Sequence, residues 1–294
     1  MNITRRDLLK TSIATAGGLM LPSVMRKAWA GEPGSDSSTV VLIRNRNLFA
    51  GDKPDPAVCR QMLDEALCRL TDKENAGQAW KSIVSADDTV GVKTNAWNKF
   101  PTPAVMEEIL KEKVLATGVK EENFSINDRG VLNDPVFRRA TALINIRPMR
   151  THAWSGVGTL IKNYIMFSPK PSSYHDDSCA GLAALYDLPE VKGKTRLHIL
   201  VMFTPQFHHT APTQFSEEFT WRYNGLLLGF DPVAVDATGL KILESKRNEY
   251  FGEHRPLNPP AKHISAADTR FHLGNADPSK IHLIKLGWDE TSYV

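Results

Sequence analysis

The feature that most constrains the fold is a regular alternation, from Thr39 onward, of short β-branched apolar runs with longer segments of helical periodicity. The apolar runs read as strands over Thr39 to Arg44, Thr89 to Lys93, Phe124 to Asn127, Ala142 to Ile146, Leu197 to Phe203, Gly225 to Gly229 and Ile281 to Lys285. Helices are predicted over Pro56 to Leu70, Pro103 to Thr117, Asp134 to Ala140, Val157 to Ile165, Cys179 to Asp187 and Pro232 to Ser245. Several open with proline in the first turn, where a missing N–H costs nothing. Strands that alternate with helices define an α/β protein: a mostly parallel sheet with helices on both faces and a ligand cleft at the strand carboxyl ends. Asn248 to Ala267, rich in Pro, His and Lys and without periodicity, reads as a long loop or lid. With 41% hydrophobic residues among 294, the chain can bury a sizeable core, which excludes fibrous, collagenous and wholly disordered classes.

The first thirty residues follow a different rule. Thr4-Arg5-Arg6-Asp7-Leu8-Leu9-Lys10 precedes a mildly apolar stretch from Ser12 to Leu21, and Ala28-Trp29-Ala30 closes the segment. A charged start, a short apolar middle and a small-x-small end are the parts of a secretory signal. The paired arginines resemble the twin-arginine export motif, with Leu8 where Phe is commonest. The apolar stretch falls well short of the about 20 residues a spanning helix needs. The expectation is therefore export to the periplasm through the twin-arginine translocase, cleavage after Ala30 and no stable membrane span after cleavage. Residues 31–38 form a linker in this reading, and 39–294 a single α/β domain.

The formal charge of +3 comes from 36 basic and 33 acidic residues. Residues 1–30 hold five of the former and one of the latter, so the cleaved chain would carry 31 and 32, a net −1. Without a basic excess, a nucleic-acid partner loses its electrostatic basis. The twin-arginine route carries folded proteins, which points to a cofactor taken up before export. The three cysteines, Cys59, Cys68 and Cys179, limit what that cofactor is. There is no C-x-x-C, and Cys59 and Cys68 fall on opposite faces of a predicted helix at about 100° per residue. A self-contained iron–sulfur cluster and a dense disulfide framework are both excluded.

Polar and titratable residues recur just after the strands: Asn95 and Trp97, then Arg129, then Thr151 and His152, then His208 and His209. The richest segment runs from Ala142 to Asn163. There Ser155, Gly156 and Gly158 lead into a predicted helix carrying Lys162 and Asn163. Glycines at a helix start let backbone N–H groups approach an anion, and the helix dipole adds positive potential. A lysine held near such a start and away from water has a lowered pKa and serves as nucleophile or base. Lys162 and His152 are accordingly the catalytic candidates. Thr151, Ser155, Gly156, Gly158, Lys162, Asn163, Asn95 and Arg129 are the candidates for binding a ligand or cofactor. Read blandly, Gly156-x-Gly158 is a tight turn and Lys162 a solvated side chain. His152, His175 and one of His208 or His209 make a candidate three-histidine set of the kind zinc, nickel or copper accepts. Adjacent residues on an extended segment point opposite ways, so His208 and His209 do not both join it. Asp231-Pro232 reads as a helix N-cap, Asp236 one turn further on as structural, and Asp176 or Asp177 as a cap. Trp97 and Trp154 are pocket walls or edge packing.

Asn145-x-x-Pro148-x-x-Thr151-His152, Gly156, Lys162-Asn163, Tyr174-His175 and Gly229-Phe230-Asp231-Pro232-Val233-Ala234-Val235-Asp236-Ala237 together resemble the domain of unknown function 362 family. The agreement runs in order from about Thr89 to Ser245. Some members of that family carry a ferredoxin-like iron–sulfur segment, whose cysteines this chain lacks. More distantly, His152, Ser155-Gly156 and Lys162 are similar in order to the histidine, Ser-Gly-Gly turn and cofactor-bearing lysine of lactate racemase and its nickel-pincer relatives. Asn95, Lys99 and Gly158 depart from that pattern. The resemblance implies a protein that binds an anionic small molecule or a metal-containing cofactor, either a transition metal or a nickel-pincer-like nucleotide. As an enzyme it would act on a small hydroxy or carboxylic acid by proton or hydride chemistry. The alternatives are a non-catalytic periplasmic metal or cofactor carrier, and a metal-free enzyme in which Lys162 and His152 work directly on a phosphate or carboxylate.

Overall fold

The computed structural model describes residues 36–209 and 215–294. The expected export signal and the linker residues 31–35 lie outside the described residues. In chain order the elements are β1 (Ser38–Arg44), a small hairpin of β2 (Phe49–Ala50) and β3 (Lys53–Pro54), α1 (Pro56–Thr71), α2 (Ala76–Ile83), β4 (Val90–Lys93), α3 (Ala104–Leu115), β5 (Phe124–Asn127) and α4 (Pro135–Arg138). There follow β6 (Ala142–His152), β7 (Gly156–Gly158), α5 (Leu160–Asn163), α6 (Asp176–Cys179), β8 (Thr195–Gln206), β9 (Gly225–Gly229), α7 (Pro232–Phe251), α8 (Lys262–Thr269) and β10 (Ile281–Gly287).

The main sheet runs β10-β1-β9-β8-β6-β4-β5, with β7 added as a short hairpin partner of β6. Pairing is parallel along it except where β9 enters antiparallel to both β1 and β8. Helices cover both faces, as an α/β pattern requires. On one side α1, α2 and α3 pack Met62, Leu63, Trp80 and Ile109 against Val41, Ile43, Val92 and Ile144. On the other, α5, the 3-10 turn that follows it and α7 pack Leu160, Tyr164, Val233 and Ile242 against Val40, Leu42, Leu143 and Leu200. Successive strand residues thus feed opposite cores, and each fully buried aliphatic side chain contributes about 1.5–3 kcal/mol.

From β4 the chain steps outward to β5, then returns past β4 to β6, with helices on opposite faces. The topological switch point therefore lies between the carboxyl ends of β4 and β6, where ligands of open α/β sheets bind. Asp231 fastens the fold elsewhere. Its Oδ1 accepts the N–H groups of Val233 (2.7 Å) and Ala234 (3.2 Å), the expected N-cap with Pro232 at the first helical position. Its Oδ2 accepts Ser38 Oγ–H (2.6 Å) and the Asn275 N–H (2.7 Å).

Four expectations are corrected. Strand β6 does not stop at Ile146 but continues through Pro148 to His152; its register on β8 slips between Pro148 and Arg150, the kind of irregularity at which a missing N–H is tolerated. Gly156 to Gly158 form a strand, not a helix start, and the helix begins at Leu160. The segment expected to run as a helix from Cys179 instead begins with Asp177, Ser178 and Cys179 in left-handed conformations (φ 48°, 55° and 65°) and continues as a 3-10 helix over Leu182–Asp187. The expected lid over 248–267 contains helix α8, and α2 was not expected at all.

Candidate functional site

Beyond the switch point, β6 carries Arg147, Arg150 and His152 to a turn closed by Ser155, whose Oγ–H donates to the Val157 carbonyl (2.7 Å). Gly156 has φ +71°, and a Cβ there would lie 2.6 Å from the Pro259 carbonyl oxygen, so the 259–261 segment packs directly on this turn. At Gly158 a Cβ would lie 2.7 Å from Arg147 Nη2. These two glycines therefore make room for Pro259 and for a guanidinium, respectively. The expected anion cradle at the start of α5 is already filled: Asp236 Oδ1 accepts the N–H of Leu160 (3.0 Å) and Oδ2 that of Ile161 (2.9 Å). A fully buried carboxylate from α7 thus caps α5 and offsets its dipole. Burial raises the Asp236 carboxyl to about 7, while the two N–H donors and Arg147 oppose that rise.

Four cationic side chains meet in this interior: Lys93, Arg147, Arg150 and Lys162, exposed by 0%, 4%, 9% and 3%. Lys93 has an anionic partner, Asp128, whose Oδ1 lies 2.5 Å from Nζ. Arg147 feels Asp128 and Asp236, and its nearest acceptor is the Thr159 carbonyl at 3.5 Å. Arg150 lies 3.9 Å above the Trp97 ring and donates to the Thr151 carbonyl (3.2 Å), which gives Trp97 a cation–π role. The Nε–H groups of Arg147 and Arg150 are buried without an acceptor. Lys162 touches no carboxylate, and its hydrogen-bond partner is the Cys179 thiol at 3.7 Å. Burial pulls Lys93 and Lys162 down to about 8, Arg147 to about 10 and Arg150 to about 9, and mutual repulsion with Arg147 adds to the fall of the two lysines and Arg150. Four buried cations face two carboxylates, Asp128 and Asp236. An uncompensated charge in such a place costs several kcal/mol.

Asn163 and Thr151 serve the scaffold. Asn163 Nδ2 donates to Asn145 Oδ1 (2.8 Å), the Lys93 carbonyl (3.1 Å) and the Ile146 carbonyl (3.2 Å), stitching β4 to β6 across the switch point. The chain of contacts continues from Asn145 Nδ2 to His198 Nδ1 (3.3 Å). Thr151 Oγ accepts from Gln206 Nε2 (3.1 Å). Asn95 is 7% exposed and its Oδ1 has no donor, so it remains a ligand candidate; Arg129 is exposed.

The four candidate histidines fall into two groups. His152 and His175 flank Trp154, with ring centroids 5.7 and 4.4 Å from it. His208 packs on Phe219 (4.7 Å) and Phe251 (5.1 Å), with Arg247 Nη1 3.2 Å from its Nδ1, and His209 lies beside it. Among the described residues no three His, Cys, Asp or Glu side chains converge to hold a metal ion, which corrects the expected three-histidine set. Lys162 Nζ has the Cys179 thiol as its hydrogen-bond partner and the described residues hold no cluster of metal ligands around it, so the donor set does not fit a metal-bearing nucleotide either. His152 is held well below its ordinary pKa by burial, then by Arg150 and Lys162, so it is neutral. Its Nδ1 accepts the Trp154 N–H (3.2 Å), which assigns the proton to Nε2. The expected base is therefore a neutral hydrogen-bond donor.

A groove of about 400 Å³ lies between α7 and α8, bounded by Leu240, Glu244, Pro260 and Ile264, and none of the clustered cations lines it. At the strand ends the four cations are buried, and His152, Trp154 and His175 beside them are partly exposed. Sequence reasoning missed Lys93, Cys179 and the placement of Arg147 and Arg150. The available signal was charge at the ends of apolar runs, Val-Gly-Val-Lys93 and Ile-Asn-Ile-Arg147-Pro-Met-Arg150.

Fold and site together define an α/β protein with a buried, cation-rich interior at the switch point of its sheet. The family profile described as domain of unknown function (DUF362) matches residues 41–241, and the chain belongs to that family. Neither curated proteins nor solved structures gave a match to it.

Proposed function

We propose that the protein, exported by a twin-arginine signal, binds a small carboxylate or phosphate anion among Lys162, Arg147 and Arg150. The observation that carries this reading is Lys162, 3% exposed and without a carboxylate partner, beside two guanidinium groups whose Nε–H is unused. An anion entering there converts a desolvation cost into charge-assisted hydrogen bonds. With its amine near 8, about one tenth of Lys162 is neutral at pH 7, enough to act as base or nucleophile, while His152 Nε2–H steadies a developing oxyanion. The preferred substrates are small hydroxy or carboxylic acids; a carrier that binds without turnover is the alternative reading of the same charges.

The test is thermal unfolding and calorimetric titration with inorganic phosphate and with lactate. Saturation at about 100 times Kd is expected to stabilise the wild type by about 2.7 kcal/mol. The Lys162→Met variant is expected to lose the response. A wild type indifferent to both anions, or a variant that binds as well, overturns the reading.

A further inference from the structure

We propose that Cys179 is a second reactive group of this buried site, a thiol nucleophile that shares its proton with Lys162 and acts on small carboxylates carrying an electrophilic carbon next to the carboxyl group. The inference rests on the anion-binding reading above and names its substrate class. Cys179 Sγ is fully buried, 3.7 Å from Lys162 Nζ, and its other contact is the Trp154 carbonyl at 3.6 Å. Independently of the cysteine, the acceptor-less Nε–H groups of Arg147 and Arg150, each at least nine-tenths buried, mark a place for an anion.

The other two cysteines provide the contrast. Cys59 sits near Asp55, and Cys68 near Asp64 and Glu65 with Lys113 opposing them; in both cases burial and then the carboxylates raise the thiol. Around Cys179 the neighbouring charge is Lys162, which opposes the rise caused by burial. Cys179 is thus the thiol whose neighbouring charge is a cation with no carboxylate beside it, the setting in which cysteines become nucleophiles. Chain geometry holds it there: Asp177, Ser178 and Cys179 are all left-handed, and Lys262 pairs with Asp177 across from α8.

For a 2-oxo acid the step balances without a further reagent. The neutral Lys162 amine takes the Cys179 proton, sulfur bonds to the carbonyl carbon, and the π pair moves to oxygen. Lys162 then returns the proton to that oxygen, giving a hemithioketal. With a 2-halo acid the same sulfur displaces halide, and the proton stays on Lys162.

Iodoacetate is the 2-halo member, and iodoacetamide its uncharged counterpart. Full-length protein is alkylated with each, and the three cysteine peptides are followed by mass spectrometry. Iodoacetate is expected to modify Cys179 ahead of half-buried Cys68 by about tenfold or more, the low end of what a cationic cleft adds to anion capture. Iodoacetamide is expected to modify Cys68 first. The Lys162→Met variant, checked for native circular dichroism, is expected to lose the iodoacetate preference. Cys179 left unmodified by iodoacetate while Cys68 reacts, or equal rates with the two reagents, overturns the proposal. The phosphate titration separates the two failures: phosphate binding without a Cys179 preference removes the nucleophile and leaves the anion site, whereas loss of both removes both.

Discussion

Replacing Lys162 by Met is expected to make the protein more stable while removing its ligand. The lysine is held at about 8 instead of 10.5, so the folded chain carries its charge at a cost of about 3 kcal/mol at neutral pH. Methionine fills much the same volume with no charge to desolvate. Some of the cost is relieved by the Cys179 contact and by relaxation, which leaves an expected gain of about 1–3 kcal/mol at pH 7. The pH dependence fixes the cause. Between about 8 and 10.5 the unfolded lysine is protonated and the folded one is not, so wild-type stability rises with pH across that interval. Below pH 8 the cost is present in full, and near 10.5 it has gone. The advantage of the variant is therefore expected to shrink over the same window. Urea denaturation of both proteins at pH 7, 9 and 10.5 measures it. A variant less stable than wild type at pH 7, or an advantage that does not narrow with pH, refutes the claim that Lys162 is a buried, unpaired cation.

Two further outcomes follow from the same interior. Asp236→Ala leaves the Leu160 and Ile161 N–H groups buried without acceptors, at about 1–3 kcal/mol each, so a loss of about 2–6 kcal/mol is expected together with faster amide exchange at both positions; unchanged exchange would show that the cap is not needed. His198 is fully buried and held at about 3 by burial, so the unfolded chain binds a proton that the folded chain refuses between about 6.5 and 3, and wild-type stability declines as the pH is lowered through that range. His198→Phe should lose less stability than wild type between pH 7 and 4.5 in urea titrations, and an equal loss would place the acid sensitivity elsewhere.

Strands, parallel pairing and the N-cap at Asp231 were legible because each rests on a local rule: β-branched runs, alternation with helices, and Asp before Pro. The site was legible in position but not in wiring. Gly156 and Gly158 look like an anion loop from their spacing, yet their lack of a Cβ serves contacts with Pro259 and Arg147, which lie far away in sequence or across a hairpin. Asp236 occupies the helix start that the spacing offered to a ligand, and the sequence does not encode that long-range meeting in any local pattern. Arg147 and Arg150 lie beyond the predicted strand end at Ile146, and the slip in register that accommodates Pro148 and lets β6 run on is a property of the paired strand. Lys93 and Lys162 acquire their meaning from burial, and burial of a charged residue contradicts the ordinary pattern from which sequence reasoning works.

The first strand has to wait for its neighbours. β1 lies between β9 and β10, and its first partner residues, around Gly225 to Gly229, are synthesised roughly 180 residues later. At about 5–20 residues per second, Val40 to Ile43 spend roughly 10–40 s as an unpaired apolar edge. The Ser38–Asp231–Asn275 contact closes later still, after residue 275 has been made. Completion of the sheet thus waits for β10, and the nascent chain exposes an aggregation-prone edge that calls for chaperone cover until β9 and β10 have been made.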